Sequence, residues 1–152
     1  MTQQNADQAV HKAAQAGLTD KLAVMLARDP SLIDAKGMDA RTPLHCAGTV
    51  AVAAMLLDHG ARIDARDEDH DSTSVQWLIG DSPDVARFLL ERGAKADIFL
   101  AAALGDLALA ERLVAEDRGC LAHRIGKPPE FPPLGHNGRG GTIYQWTLRF
   151  NS

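Results

Sequence analysis

The chain has little of what membrane proteins, nucleic-acid binders and most metalloenzymes require. Only two of its 152 residues are cysteine, Cys46 and Cys120. They form no metal-ligand spacing and no C-x-x-C redox pair, which leaves reduced, buried thiols of a cytoplasmic protein as the expectation. Positive charge is not in excess: the formal net charge is -4 and the isoelectric point is near 5.8. A sequence-independent grip on nucleic acid needs a basic face, so that class is set aside. No apolar run approaches the roughly 20 residues that span a bilayer. The start, Met1-Thr2-Gln3-Gln4-Asn5, lacks the basic and apolar regions of a secretion signal. H-E-x-x-H and G-x-S-x-G elements are absent as well, so the sequence nominates no catalytic residue, cofactor or metal. Abundant alanine, with more arginine than lysine, fits a bacterial, high-GC source.

What the chain does have is internal repetition. Thr42-Pro43-Leu44-His45-Cys46-Ala47 spells T-P-L-H-x-A. Leu56-Leu57-Asp58-His59-Gly60-Ala61 returns 33 residues later as Leu89-Leu90-Glu91-Arg92-Gly93-Ala94. Thr42 suits a helix N-cap and Pro43 the first helical position, where no N–H is needed. Gly60 and Gly93 fall where a helix ends on a left-handed residue. In motif and period together the chain resembles the ankyrin-repeat family. That resemblance implies an all-α solenoid of about four helix pairs plus a partial fifth repeat, with turn fingers and one long Pro/Gly-rich loop. It also implies that His45 is scaffolding, bonded to the turn region and locking neighbouring repeats.

On this reading residues 1–152 form a single domain, with repeats at about 6–36, 37–66, 67–96 and 97–124, a loop at 118–141 and a partial repeat at 142–152. In the first repeat, His11-Lys12-Ala13-Ala14 stands 34 residues before the equivalent His45 stretch. The second is short: ankyrin repeats carry roughly eighteen residues from the motif His to the terminal Gly, whereas here Gly60 comes fifteen after His45. Its first helix must be curtailed before a second begins at Val50. In the third, Gln76 replaces the motif His and Ser74 the Pro; a glutamine can still bond to the turn. The fourth keeps the period, with an almost wholly apolar first helix from Ile98 to Leu104, the pattern of a helix buried on all sides.

Four of the seven prolines and six of the thirteen glycines lie between Arg118 and Gly141, the texture of a long loop. Thr142-Ile143-Tyr144-Gln145-Trp146 then echoes Thr73-Ser74-Val75-Gln76-Trp77, and the chain stops at Ser152, before a full second helix. Apolar surface left on that half-repeat needs covering. Either the loop folds back as a lid through Phe131 and Leu134, or two copies meet end to end as a homodimer.

The resemblance implies a non-enzymatic protein-protein interaction module with a concave binding surface. By position in the motif it nominates Gln15 and Ala16, then Met38, Asp39 and Arg41 on one finger, and Asp69, His70 and Ser72 on the next. Trp77, on an inner helix, joins them as an aromatic anchor or as core packing between repeats. Two further functional readings are an inhibitory, immunity-like partner of a bacterial enzyme, and a metal- or small-ligand-binding protein that uses the acidic finger 64–71. Asp67, Asp69 and Asp71 have the spacing that opens a calcium loop. Ser72 stands at the required Gly position and Leu78 at the required Glu, which excludes an EF-hand.

Overall fold

The computed structural model describes residues 3–125, 141–142 and 149–150. Helices come in packed pairs. The first pair is α1 (Gln3–Gln15) and α2 (Thr19–Arg28), the third α4 (Ser74–Leu78) and α5 (Pro83–Glu91), the fourth α6 (Ile98–Leu104) and α7 (Leu107–Glu116). The second pair has one α-helix, α3 (Val50–Asp58); in place of its partner stands a single 3-10 turn, Pro43–Cys46. α1, this turn and α4 pack in succession as one row, and α2, α3 and α5 as the other. The core runs continuously between the rows. Val10, Leu22, Leu44, Leu56, Leu89 and Leu100 are fully buried in it, each contributing roughly 1.5–3 kcal/mol of transfer free energy.

Helix ends follow the local chemistry. Gly60 and Gly93 take φ of 91° and 94°, so a residue without Cβ closes α3 and α5. The amides that follow turn back on the last carbonyls: Ala61 N–H donates to Leu56 O at 3.0 Å and Ala94 N–H to Leu89 O at 2.9 Å. Asp97 caps α6 by accepting from the Phe99 and Leu100 amides. α1 begins at Gln3, earlier than the start near Ala6 that the motif suggests.

Repeats one and four end alike, a likeness that the Gly-Ala signature does not reveal. After α2, Asp29 caps the 3-10 turn Pro30–Asp34 and Leu32 is buried. After α7, Asp117 caps Arg118–Ala122 and Cys120 is buried. The stretch from Arg118 therefore opens as an ordered turn, not as the expected loop. Beyond it, β1 (Arg124–Ile125) pairs antiparallel with β2 (Gly141–Thr142), Arg124 opposite Thr142. The same arrangement, Arg66 opposite Thr73, precedes α4. Thr142 thus holds the position of a motif threonine. Residues 126–140 and 143–148 lie outside the described residues, and with them Phe131, Leu134, Trp146 and the choice between lid and homodimer.

Candidate functional site

One type of bond joins the repeats along the inner row. His11 Nε2 meets Arg41 O at 2.8 Å, and His45 Nε2 meets Ser72 O at 3.2 Å. Each carbonyl belongs to the residue just before the next motif threonine. Gln76, at the same place in repeat three, accepts from Thr73 N–H and donates to the Asp97 carboxylate at 3.0 Å. The scaffold role survives the replacement because an amide, like a neutral imidazole, offers one acceptor and one donor side.

The His45 tautomer follows from its partners. Thr42 N–H donates to Nδ1 at 3.1 Å, and the Thr42 hydroxyl lies 2.9 Å from the same nitrogen. Nδ1 is therefore the acceptor and Nε2–H the donor to Ser72. Burial pushes the His45 pKa below its ordinary 6.5, against the opposing pull of the Ser72 carbonyl. With the folded value lowered, the unfolded chain binds the extra proton first. This contribution to stability is level above pH 6.5 and declines as the pH falls through that value. His45→Gln removes the declining component while retaining most of the stability at pH 8. Chemical unfolding of both proteins between pH 8 and pH 5 checks this; an unchanged pH slope in His45→Gln would mean that His45 is not the titrating group.

Two fingers project from this frame. In the first, Gly37 N–H donates to Arg41 O at 2.8 Å, and both Asp39 and Ala40 are left-handed, with φ of 58° and 57°. The turn lifts Met38 into solvent at 74% exposure. In the second finger the organising group is Asp67, 4% exposed. Its carboxylate accepts from Ser72 N–H at 2.7 Å, His70 N–H at 3.3 Å and Trp77 Nε1–H at 2.6 Å. Trp77 is half-buried. The Arg41 guanidinium lies over its ring at 4.7 Å and the His70 ring meets its edge at 5.7 Å. Finger one, finger two and α4 are thereby joined through one indole.

Where the second repeat lacks its inner helix, the chain presses onto the end of α1. Gly48 N–H donates to Ala14 O at 3.1 Å, and a Cβ at Gly48 would lie 2.2 Å from the Gln15 carbonyl oxygen. The space a helix would fill becomes a cleft of about 330 Å³ between Gln15, Arg41, Cys46, Gly48, Trp77 and Ser82.

A family model described as Ankyrin repeat matches residues 39–68, which run from the first finger into the second. Over those residues the chain is similar to an ankyrin repeat, which supports the ankyrin-repeat reading. No curated protein matches it.

Measured against this ankyrin frame, the residues expected to meet a partner separate into distinct groups. Gln15, Ala16, Met38, Asp39 and Asp69 are exposed. His70 and Trp77 are half-buried and engaged with each other. Arg41 is tied down by Trp77, by its own Nε–H bond to Met38 O and by the His11 bond to its carbonyl. Ser72 departs from expectation. It is 0% exposed, with its amide on Asp67, its hydroxyl on His70 O and its carbonyl accepting from His45 and Asp67. A residue whose polar groups close the finger from within presents nothing to a partner.

The acidic stretch 64–71 is likewise occupied from within. Asp64 accepts from Lys95 N–H at 2.9 Å, Glu68 pairs with Lys36 at 3.1 Å and Asp71 with Arg66 at 3.4 Å. Asp69 faces His70 at 3.2 Å. Among the described residues no group of three or more His, Cys, Asp or Glu is placed to hold a metal ion. Cys46 is half-buried at the cleft, not within a helix core, and burial raises its thiol pKa. No helix among the described residues is long and apolar enough to cross a membrane.

The tie between Asp67 and Trp77, the lining position of Cys46 and the contact of Gly48 on α1 had no local sequence signal. The missing three residues of repeat two were the signal for the cleft.

Proposed function

We infer that the chain is a non-enzymatic module that seats a protein partner on its inner face, across the fingers and the row formed by α1, the Pro43–Cys46 turn and α4. Ankyrin repeats generally act as protein-protein interaction modules and are typically non-enzymatic. Met38 carries this reading. A large apolar side chain at 74% exposure, fixed on a finger whose backbone is closed by its own hydrogen bonds, is a preorganised anchor of the kind that dominates interfaces. Gln15 lines the same cleft as Met38, and Gln15, Ala16 and Asp39 are exposed.

Met38→Ala should reduce capture of the partner from source-cell lysate at least about tenfold, as expected for a central anchor. Its melting temperature should be unchanged, because the side chain touches little of the core. Arg41→Ala is a poorer probe, since it also loosens the finger and uncovers Trp77. Capture that persists in Met38→Ala but is lost on changing exposed Arg112, on α7, would place the binding face elsewhere.

A further inference from the structure

The shortened repeat leaves the cleft beside Gly48. Two further clefts adjoin the one beside Gly48. One, of about 430 Å³, shares Gln15, Arg41 and Cys46 with it and extends to Lys12 and Met38. The other, of about 390 Å³, shares Gly48, Asp81 and Ser82 with it and extends to Asp84. Through these shared walls the three clefts lie in a row as a trench. Each is sized for one or a few side chains, and the convex face of a folded domain cannot enter such a channel.

Charge is unevenly placed along it. Lys12 is exposed at one end, and Asp81 and Asp84 are exposed at the other. None of these three forms an ion pair among the described residues. Glu68 and Asp71, exposed acids in the finger 64–71, are already paired with Lys36 and Arg66. Between the ends, the Gln15 amide and the Ser82 hydroxyl can each donate and accept. An extended peptide presents one N–H and one C=O per residue and needs that kind of wall.

We propose that this trench binds a linear peptide segment, with an acidic side chain at the Lys12 end and a basic one at the Asp81–Asp84 end. The proposal rests on the reading of the chain as a protein-binding module. It narrows the partner to an unstructured segment that carries one acidic and one basic side chain.

The test is to pan the full chain against random linear dodecapeptides and to titrate the recovered sequences. The expected result is an acidic and a basic residue at a recurring spacing. Lys12→Glu should weaken a recovered peptide about tenfold, and exchanging the peptide's acidic residue for lysine should restore it. Asp84→Lys should give the mirror result with the peptide's basic residue. Because Cys46 lines two of the clefts, bound peptide should also slow its alkylation. Both variants lie at exposed positions and keep the fold, which circular dichroism checks. Peptides without the paired charges, binding indifferent to both reversals, or no recovered peptide would each overturn the proposal. If the peptide result fails while capture still depends on Met38, the trench is wrong and the wider reading stands; if both fail, both fall.

Discussion

Gly48→Ala is expected to destabilise the protein by about 3 kcal/mol or more, a large share of a small domain's stability. The cause is space, not backbone conformation, since Gly48 is not among the glycines with positive φ. A methyl group there would stand 2.2 Å from the Gln15 carbonyl oxygen. The oxygen belongs to the backbone and a Cβ is fixed directly to it, so no flexible side chain can swing away. Separating them breaks the 3.1 Å bond from Gly48 N–H to Ala14 O and lifts repeat two from α1. Gly60→Ala is the informative control: nothing lies within 4 Å of its Cβ position, and only the left-handed φ of 91° opposes the change. That penalty is about 1 kcal/mol. Urea unfolding followed by circular dichroism should separate the two variants clearly. Equal losses would mean that the close approach at Gly48 relaxes freely.

Asp67→Ala should cost about 3–5 kcal/mol, the range for removing one side of a buried charged network. Three N–H donors, from Ser72, His70 and the Trp77 indole, would lose their acceptor together. The Ser72 amide is buried where water cannot replace the carboxylate. Release of the indole also uncouples Trp77 from the second finger, so the loss should be accompanied by a change in tryptophan fluorescence. Asp69→Ala, two residues along but exposed, should change stability by less than about 0.5 kcal/mol. A comparable loss from both would show that the finger is held by general acidity and not by this one carboxylate. The same pair of variants bears on the metal-binding reading of the acidic finger. A carboxylate fully engaged by three donors has little left for a cation.

Much of the scaffold was legible because repeat proteins write tertiary contacts into local sequence. Helix-capping threonine, first-turn proline and terminal glycine act within a few residues, and a period of 33 states that the same unit stacks on its copy. Thr42-Pro43-Leu44-His45, Gly60 and Gly93 were therefore readable one by one, as was the role of Gln76. The fifteen-residue spacing from His45 to Gly60 likewise announced that an inner helix was curtailed. Chemistry also settled by sequence includes the absence of an EF-hand pattern and of a nucleic-acid-binding charge balance.

Only the tertiary structure decided what became of the functional candidates. Ser72 and Asp69 sit in one polar finger and look alike in sequence, yet one is sealed inside and the other faces water. Their difference depends on which amides turn toward Asp67, a matter of finger conformation that no period or motif encodes. Arg41 and Trp77 are 36 positions apart and meet where the Pro43–Cys46 turn packs against both α1 and α4. The missing residues told of a curtailed helix, but the walls of the cleft and the charges at its ends come from three repeats at once. Local capping energies are carried by neighbours in the chain and can be read in order. The site is carried by contacts between repeats, whose geometry exists only when the stack is assembled.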